Sequence, residues 1–462
     1  MVDKMARLTS LQIYEYLPKK NCGKCGEDTC IAFAMKLYER EKNPLECTEF
    51  TEEQKRKIIE VLTPSVREVT IGTRDKHIKI GGEEVIYRHE LRFFNPCALF
   101  VDISDIMENE EINKRIDFAK NFEFERIGDI LKLDGISIRC NSDNPKKFKS
   151  VVEMVASRFN GPMILKTFNP GIMEYALKAV MNRRPLLYAA NKENWQSMME
   201  LAQKYNAPLA VNEKNLSELG TIAMNISSAG FNDIVLDPGI DAEGKGLAET
   251  IDKFTMIRRA AVREIRELGF PVMGSTVPIW INSNDEVSSS FYESTILCML
   301  INRFASLLVF HTTDIWAIIP ALVLRYNIYT DPRVEPTVEA KLYEIGSPDE
   351  NSPVFITTNF ALTYSSVVKD IESTNIASYL LVIDTEGLAV AVSLAGEKLT
   401  ASVIKKALEE SKISERVKHK KLIIPGVAAK LKHAIEDETD WKVLVGPGDS
   451  SQIGSFLKEN WK

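Results

Sequence analysis

Eight short apolar runs, spaced by amphipathic segments, restrict the middle of this chain more than any other feature. The runs are ALFVDIS (98–104), GISIRCN (135–141), MILKTF (163–168), LLYAAN (186–191), LAVN (209–212), DIVLDPG (233–239), PVMGST (271–276) and SLLVFHTT (306–313). Each is too short for a buried helix, and strands covered on both faces read as continuous apolar runs of this kind. The stretches between them, such as NPKKFKSVVEMVASRF and ENWQSMMELAQKY, carry the 3.6-residue period of helices. Eight strand–helix units predict an α/β fold with a central TIM (β/α)8 barrel over 93–328. A split into two doubly wound sheets is the alternative. Polar residues close many of the runs: Asp102, Asn141, Asn191, Asn212, Asp237, Ser275, Thr276 and His311. In a barrel these lie at the C-terminal mouth, where ligands bind. No H-E-x-x-H, G-x-S-x-G or G-K-[ST] motif accompanies them, so no catalytic residue is assigned; a polar mouth packed against another molecule is an equal reading.

The chain has seven cysteines in 462 residues, and four of them fall between positions 22 and 47. Cys22, Cys25, Cys30 and Cys47 follow the spacing C-x2-C-x4-C-x16-C, with Gly23 and Gly26 each directly after a cysteine. Four thiolates converging on one inorganic core need tight turns, which glycine permits. LTSLQIYEYLP (8–18) and IAFAMKLYERE (31–41) read as flanking helices, and Thr51 opens a third, charged one. This predicts a small helical domain over 1–60 whose four cysteines ligate a 4Fe–4S cluster. Zinc also accepts four cysteines, but its ribbons pair two short CxxC knuckles and only one is present. A fully thiolate-ligated cluster has no open iron, so its role is one-electron transfer. Cys97, Cys140 and Cys298 are scattered and read as small buried hydrophobes.

Residues 61–92 read as a linker with one β-hairpin, HIKI-GG-EEVIYRH, turning at Gly81-Gly82 and carrying His77 and His89 on its strands. Surface or packing roles suit these histidines better than metal ligation, since no cysteine or carboxylate keeps ligand spacing with them. After a proline-rich connection the alternation restarts. VFITTN (354–359), SYLLVID (378–384), KLIIPG (421–426) and WKVLVGPG (441–448) predict a Rossmann-like α/β domain over 329–462. Small and hydroxyl residues gather at its strand ends, where open α/β sheets bind flat cofactors. No G-x-G-x-x-G occurs, and ordinary strand-to-helix turns explain the glycines as well.

A net charge of −7 gives a nucleic-acid backbone no reason to bind. The N-terminus MVDKMARLTS lacks the apolar region of a secretory signal, and 306–324 is broken by His311, Asp314 and Pro320, as a strand followed by a helix would be. A cytoplasmic protein with neither nucleic acid nor membrane as partner is expected.

The segment NCGKCGEDTC…C, the stretch IGGEEVIYRHE, and TTNFALTYSSV followed by DTEGLAVAVS together resemble the large subunit of corrinoid iron–sulfur proteins, over essentially the whole chain. In methanogenic archaea this family is the gamma subunit of the acetyl-CoA decarbonylase/synthase complex. The resemblance implies a corrinoid-dependent methyltransferase subunit. It would carry a methyl group between a tetrahydropterin (tetrahydromethanopterin or tetrahydrosarcinapterin) and the Ni–Fe–S site of acetyl-CoA synthase. The cluster would return accidentally oxidised Co(II) to Co(I). It also implies a cobalamin-type corrinoid on the C-terminal domain, at Thr357, Thr363, Gly387, Leu388, Ala389 and Val390, completed by Gly426, Gly446, Pro447 and Gly448. Asp384-Thr385-Glu386-Gly387 departs from the D-x-H-x-x-G of other corrinoid proteins, so the resemblance implies cobalt without a protein axial ligand. The implied partners are a smaller barrel (delta) subunit as heterodimer, the acetyl-CoA synthase and CO dehydrogenase subunits, and the methyl-tetrahydropterin.

Overall fold

The computed structural model describes residues 9–73, 75–281 and 285–461. The chain divides into two compact units: residues through Phe124 with Leu131–Asp331, and Glu125–Ile130 with Pro332–Lys462.

The first unit begins with three short helices, α1 (Ser10–Glu15), α2 (Cys30–Tyr38) and α3 (Glu52–Val61). Each starts at a threonine whose hydroxyl accepts a backbone N–H of the first turn, Thr9, Thr29 and Thr51, which satisfies a donor the helix itself leaves unpaired. Their apolar faces meet in a small core of Ile13, Leu17, Phe33, Ala34, Leu37 and Ile58.

Next come β1 (Val69–Thr73) and β2 (Lys76–Ile80), antiparallel with Val69 opposite Ile80 and Gly72 opposite His77. This corrects the expected register: the hairpin turns between Thr73 and Lys76, not at Gly81-Gly82, and His89 lies exposed outside any strand. The reason is alternation on the earlier side, where Val69 and Ile71 face Ile78 and Ile80. Gly81 and Gly82 hold left-handed φ values of 79° and 91°, and they carry the chain onward so that the Val66 N–H reaches the Glu83 carbonyl at 2.9 Å. Nor is the segment loosely held. Val69, Ile71 and Ile80 pack with Ala98, Phe100, Leu186 and Leu307 from the first residues of barrel strands, so the hairpin plugs the barrel's N-terminal end. Arg40 ties the helical segment to this plug by pairing with Glu84 and donating to the Gly82 carbonyl.

The barrel is built from β3 (Ala98–Ser104), then, after a short hairpin of β4 (Phe124–Arg126) and β5 (Asp129–Leu131), from β6 (Gly135–Arg139), β7 (Met163–Lys166), β8 (Leu186–Ala190), β9 (Leu209–Asn212), β10 (Ile234–Asp237), β11 (Met273–Ser275) and β12 (Leu307–Phe310). They run parallel in the order β10-β9-β8-β7-β6-β3-β12-β11. The Leu236 N–H bonds the Pro271 carbonyl at 2.8 Å and closes the ring. All eight expected runs are strands of this TIM barrel, and the two-sheet alternative is set aside. Among the described residues no helix is long and apolar enough to cross a membrane; residues 306–324 form β12 and the start of the helix Ile315–Tyr329.

The second unit holds β13 (Leu342–Ile345), β14 (Val354–Thr358), β15 (Ser378–Ile383), β16 (Lys421–Ile424) and β17 (Lys442–Val445), ordered β13-β15-β14-β16-β17. Four match the expected runs. The fifth, β13, is an antiparallel edge strand in the proline-rich connection, which its half-exposed LYEI pattern left unread. Separate apolar clusters cover the two faces, as in a doubly wound sheet.

Candidate functional sites

The four clustered cysteines line one pocket, together with Leu17, Pro18, Asn21, Phe33 and Glu49. Cys30 sits at the first position of α2 and is buried among the helical core residues. The Asn21 side-chain oxygen accepts the Cys30 N–H at 2.8 Å, and the Asn21 N–H points back at the Cys30 sulfur at 3.4 Å. Asn21, Gly23 and Gly26 all take positive φ (45°, 72° and 85°), which curls the loop around the thiols. Burial pushes the Cys47 thiol up; a backbone hydrogen bond at Glu49 opposes this, and the charges of Cys25, Cys30 and Cys22 reinforce it. Among the described residues, no three His, Cys, Asp or Glu side chains gather tightly enough for a single metal ion. Around the rim, Lys20 and Lys24 clasp the Glu49 carboxylate at 2.7 and 2.6 Å and hold it at about 2. The donor set, four thiols around one pocket with backbone N–H support, fits an iron–sulfur cluster.

In the second unit, β14 lies between β15 and β16, so the connections on its two sides leave in opposite directions. That is the switch point where open α/β sheets leave a crevice at the strand ends. β14 and β16 pair only through Phe355 and Ile423. Beyond them lies an open groove lined by Thr357, Leu362, Thr363, Val390, Ile424, Pro425, Gly446, Pro447 and Gly448 among others. Thr357 is buried, 2% exposed, and among the described residues its hydroxyl has no hydrogen-bond partner. Leu362 and Val427, also in the lining, stand 45% and 54% exposed. Such a cradle fits a flat macrocycle with an apolar face and acceptor groups at its edge. A Cβ on Gly426 would stand 2.7 Å from the Gly448 nitrogen, so this glycine lets the two loops meet backbone to backbone. Gly387, Leu388 and Ala389 do not line the groove. Gly387 instead packs against the Glu335 and Thr337 side chains with φ 79°. Asn359, which sequence reasoning passed over inside TTNFALT, organises that loop from below, its side-chain oxygen accepting the N–H groups of Thr385 and Gly387 at 3.0 and 3.1 Å.

At the barrel's C-terminal mouth, Asp102, Asn212, Asp237, Ser275 and His311 each stand two residues beyond an interior residue of their strands and so point inward. Arg139, Lys166 and Tyr188 join them; strand alternation from Gly135, Ile164 and Leu186 would have found all three. Asp102 accepts from Arg139 Nε at 2.9 Å and lies 3.1 Å from His311 Nδ1. Burial alone would raise its carboxyl, but the His311 hydrogen bond and the charges of Arg139, His311 and Lys166 hold it below the ordinary value. Asp237 takes the Tyr188 hydroxyl at 2.7 Å and is pushed up by burial. Thr276 turns outward to Glu293, and Asn191 caps the turn after β8.

An Fe-S cluster family model matches residues 17–49, and the model of the CO dehydrogenase/acetyl-CoA synthase delta subunit matches residues 68–457. The thiol pocket and the barrel with its α/β partner thus define an iron–sulfur protein of the CO dehydrogenase/acetyl-CoA synthase class. Relatives narrow the class. The acetyl-CoA decarbonylase/synthase complex subunit gamma of Archaeoglobus fulgidus is 41% identical over 461 residues, covering 98% of each chain. That of Methanothermobacter thermautotrophicus is 42% identical over 453 residues, again with 98% of each covered. The chain belongs to this gamma-subunit family. Among solved structures, dihydropteroate synthase from Thermus thermophilus aligns with 56% of this chain and all of its own, at 19% identity and a TM-score of 0.39.

Proposed function

We propose that the chain is the methyl-carrying subunit of a corrinoid iron–sulfur pair, a corrinoid-dependent methyltransferase component working between a tetrahydropterin and the Ni–Fe–S site of an acetyl-CoA synthase. The observation that carries the proposal is the switch-point groove of the second unit, with its orphaned Thr357 hydroxyl and its backbone-lined far wall. A corrinoid bound there supplies the cobalt that accepts and releases the methyl group, and the cluster supplies single electrons that keep the cobalt in its methyl-accepting state. The residues of the chain bind and shape. Thr357 and Thr363 offer hydroxyls to the edge of the ring, while Gly426 and Gly446–Gly448 allow its close approach. On the β15 side Val390 lines the groove, and Gly387–Ala389 lead to it on a loop fixed by Asn359. That loop, Asp384-Thr385-Glu386-Gly387, holds no histidine, so it would offer a bound corrinoid no imidazole, which would ease reduction of the cobalt. Cys22, Cys25, Cys30 and Cys47 hold the cluster. Leu362 and Val427 leave an apolar rim for the smaller delta-type subunit to cover.

Metal analysis of the anaerobically purified chain, co-expressed with its smaller partner, tests this. About one cobalt to four irons is expected. Iron without cobalt would overturn the methyl-carrier reading in favour of an iron–sulfur electron-transfer enzyme acting at the barrel mouth; zinc alone would overturn both. Cys25→Ala separates the two cofactors: methyl transfer from cobalt already reduced should persist while reductive reactivation is lost. Survival of both steps would remove electron transfer from this segment.

A further inference from the structure

The barrel mouth carries buried charge that methyl carriage does not use. Arg139, Cys140, Asp143, Lys166, Phe168 and Tyr188 are among the residues that line an open cavity there, with Asp143 exposed at its rim. The buried carboxylates beside it are already engaged. Asp102 receives Arg139 and His311, and the Asp237 carboxylate receives the Tyr188 hydroxyl and the Gly239 N–H at 2.9 Å. Its donors are not. Lys166 Nζ reaches the Ser275 hydroxyl at 3.3 Å and stands 4.4 Å from the centre of the Tyr188 ring, and among the described residues it forms no ion pair. Arg139 spends Nε on Asp102 and Nη1 on Asn141, and among the described residues Nη2 has no partner. The spare capacity of the buried groups is therefore donating and cationic. Beside it stands Phe168, 48% exposed, with its ring 5.9 Å from that of Tyr188.

We infer that this mouth binds a small organic carboxylate with a flat body, its carboxylate received by Lys166 and Arg139 and its body laid against Phe168. The carboxylates nearest the half-buried Lys166 ammonium, Asp102 and Asp237, already serve other donors, so an anion placed against it lowers the cost of its burial. Burial weakens the hold of Lys166 on its proton, and Asp102 and Asp237 only partly restore it; a bound carboxylate completes the restoration. An aromatic side chain left in water beside two cations suits a planar partner better than a tetrahedral anion.

The test uses the full-length chain with its cluster intact and follows binding of benzoate and 2-naphthoate by ligand-detected NMR, with inorganic phosphate and benzylamine as contrasts. Saturable binding of the two aromatic acids is expected, with naphthoate the tighter. Lys166→Met should weaken both about tenfold or more, the loss of one charge-assisted hydrogen bond. Phe168→Ala, at an exposed position where folding is not at stake, should weaken naphthoate more than benzoate. Unchanged iron content and thermal midpoint show that each variant is folded. The inference is overturned if neither acid binds, if both variants bind like the parent, if phosphate matches naphthoate, or if benzylamine is the tighter ligand.

Discussion

The side-chain oxygen of Asn359 accepts the Gly387 N–H at 3.1 Å, tying the end of β14 to the loop after β15. The same oxygen takes the Thr385 N–H at 3.0 Å, and the Asn359 amide donates to Asp384 at 3.0 Å. Asn359→Ala leaves two buried N–H groups without an acceptor, at a cost of about 1–3 kcal/mol each. The expected result is a lower thermal midpoint and fewer cobalt atoms per iron in the purified complex. Asn359→Asp should be milder, because its carboxylate still accepts both N–H groups and loses only the bond to the exposed Asp384. Normal cobalt content in both variants would remove the 384–388 loop from the corrinoid site.

Gly426 tests the opposite wall of the groove. Any side chain there meets the Gly448 nitrogen and Pro447 carbonyl carbon at 2.7 Å, both backbone atoms that cannot swing aside. Gly426→Val should therefore push the two loops apart and cut cobalt occupancy, with iron unchanged because the thiols lie in the other unit. Iron and cobalt falling together would mean general misfolding, so iron serves as the internal control.

Much of this was legible in the sequence, for reasons particular residues make plain. The barrel strands announced themselves because both faces of each are buried, which forces runs such as ALFVDIS. The cysteine spacing is local chemistry, so the pocket around Cys22, Cys25, Cys30 and Cys47 needed no tertiary knowledge. The hairpin misled because Gly81-Gly82 looks like a turn, whereas their left-handed φ serves a bend that brings Glu83 back toward Val66. The role of Asn359 was hidden because its partners lie 25 to 28 residues away. Lys166 and Arg139 were overlooked beside the carboxylates, though their alternation with interior residues was visible.

Asp102 gives the barrel a pH signature. Its carboxyl titrates below its unfolded value, since the His311 hydrogen bond and the Arg139 charge outweigh burial. A depressed carboxyl contributes stability that is fully present above the unfolded pKa of about 4 and is lost as pH falls through the lower folded value. Asp102→Asn removes that contribution. Urea midpoints of parent and variant should differ at pH 6 and converge as the pH drops below about 4. A constant gap across that range would show that Asp102 is not charged in the folded barrel.

Glu83 and Arg258 decide whether residues 61–92 are a linker or part of the barrel. Arg258 Nη2 lies 3.2 Å from Glu83 Oε2, the two side chains are 3% and 0% exposed, and neither carboxylate oxygen makes an aligned hydrogen bond. Arg258 also lies over the Phe304 ring at 4.7 Å and the Phe93 ring at 5.5 Å. Removing one partner of a buried pair strands the other charge, at a cost of about 3–5 kcal/mol, whereas replacing both by apolar residues is often neutral. Glu83→Ala should thus unfold the barrel at markedly lower urea. Glu83→Leu combined with Arg258→Met should regain most of the loss. If 61–92 were a free linker, Glu83→Ala would shift stability by less than about 0.5 kcal/mol, as surface changes do, and the double variant would recover nothing.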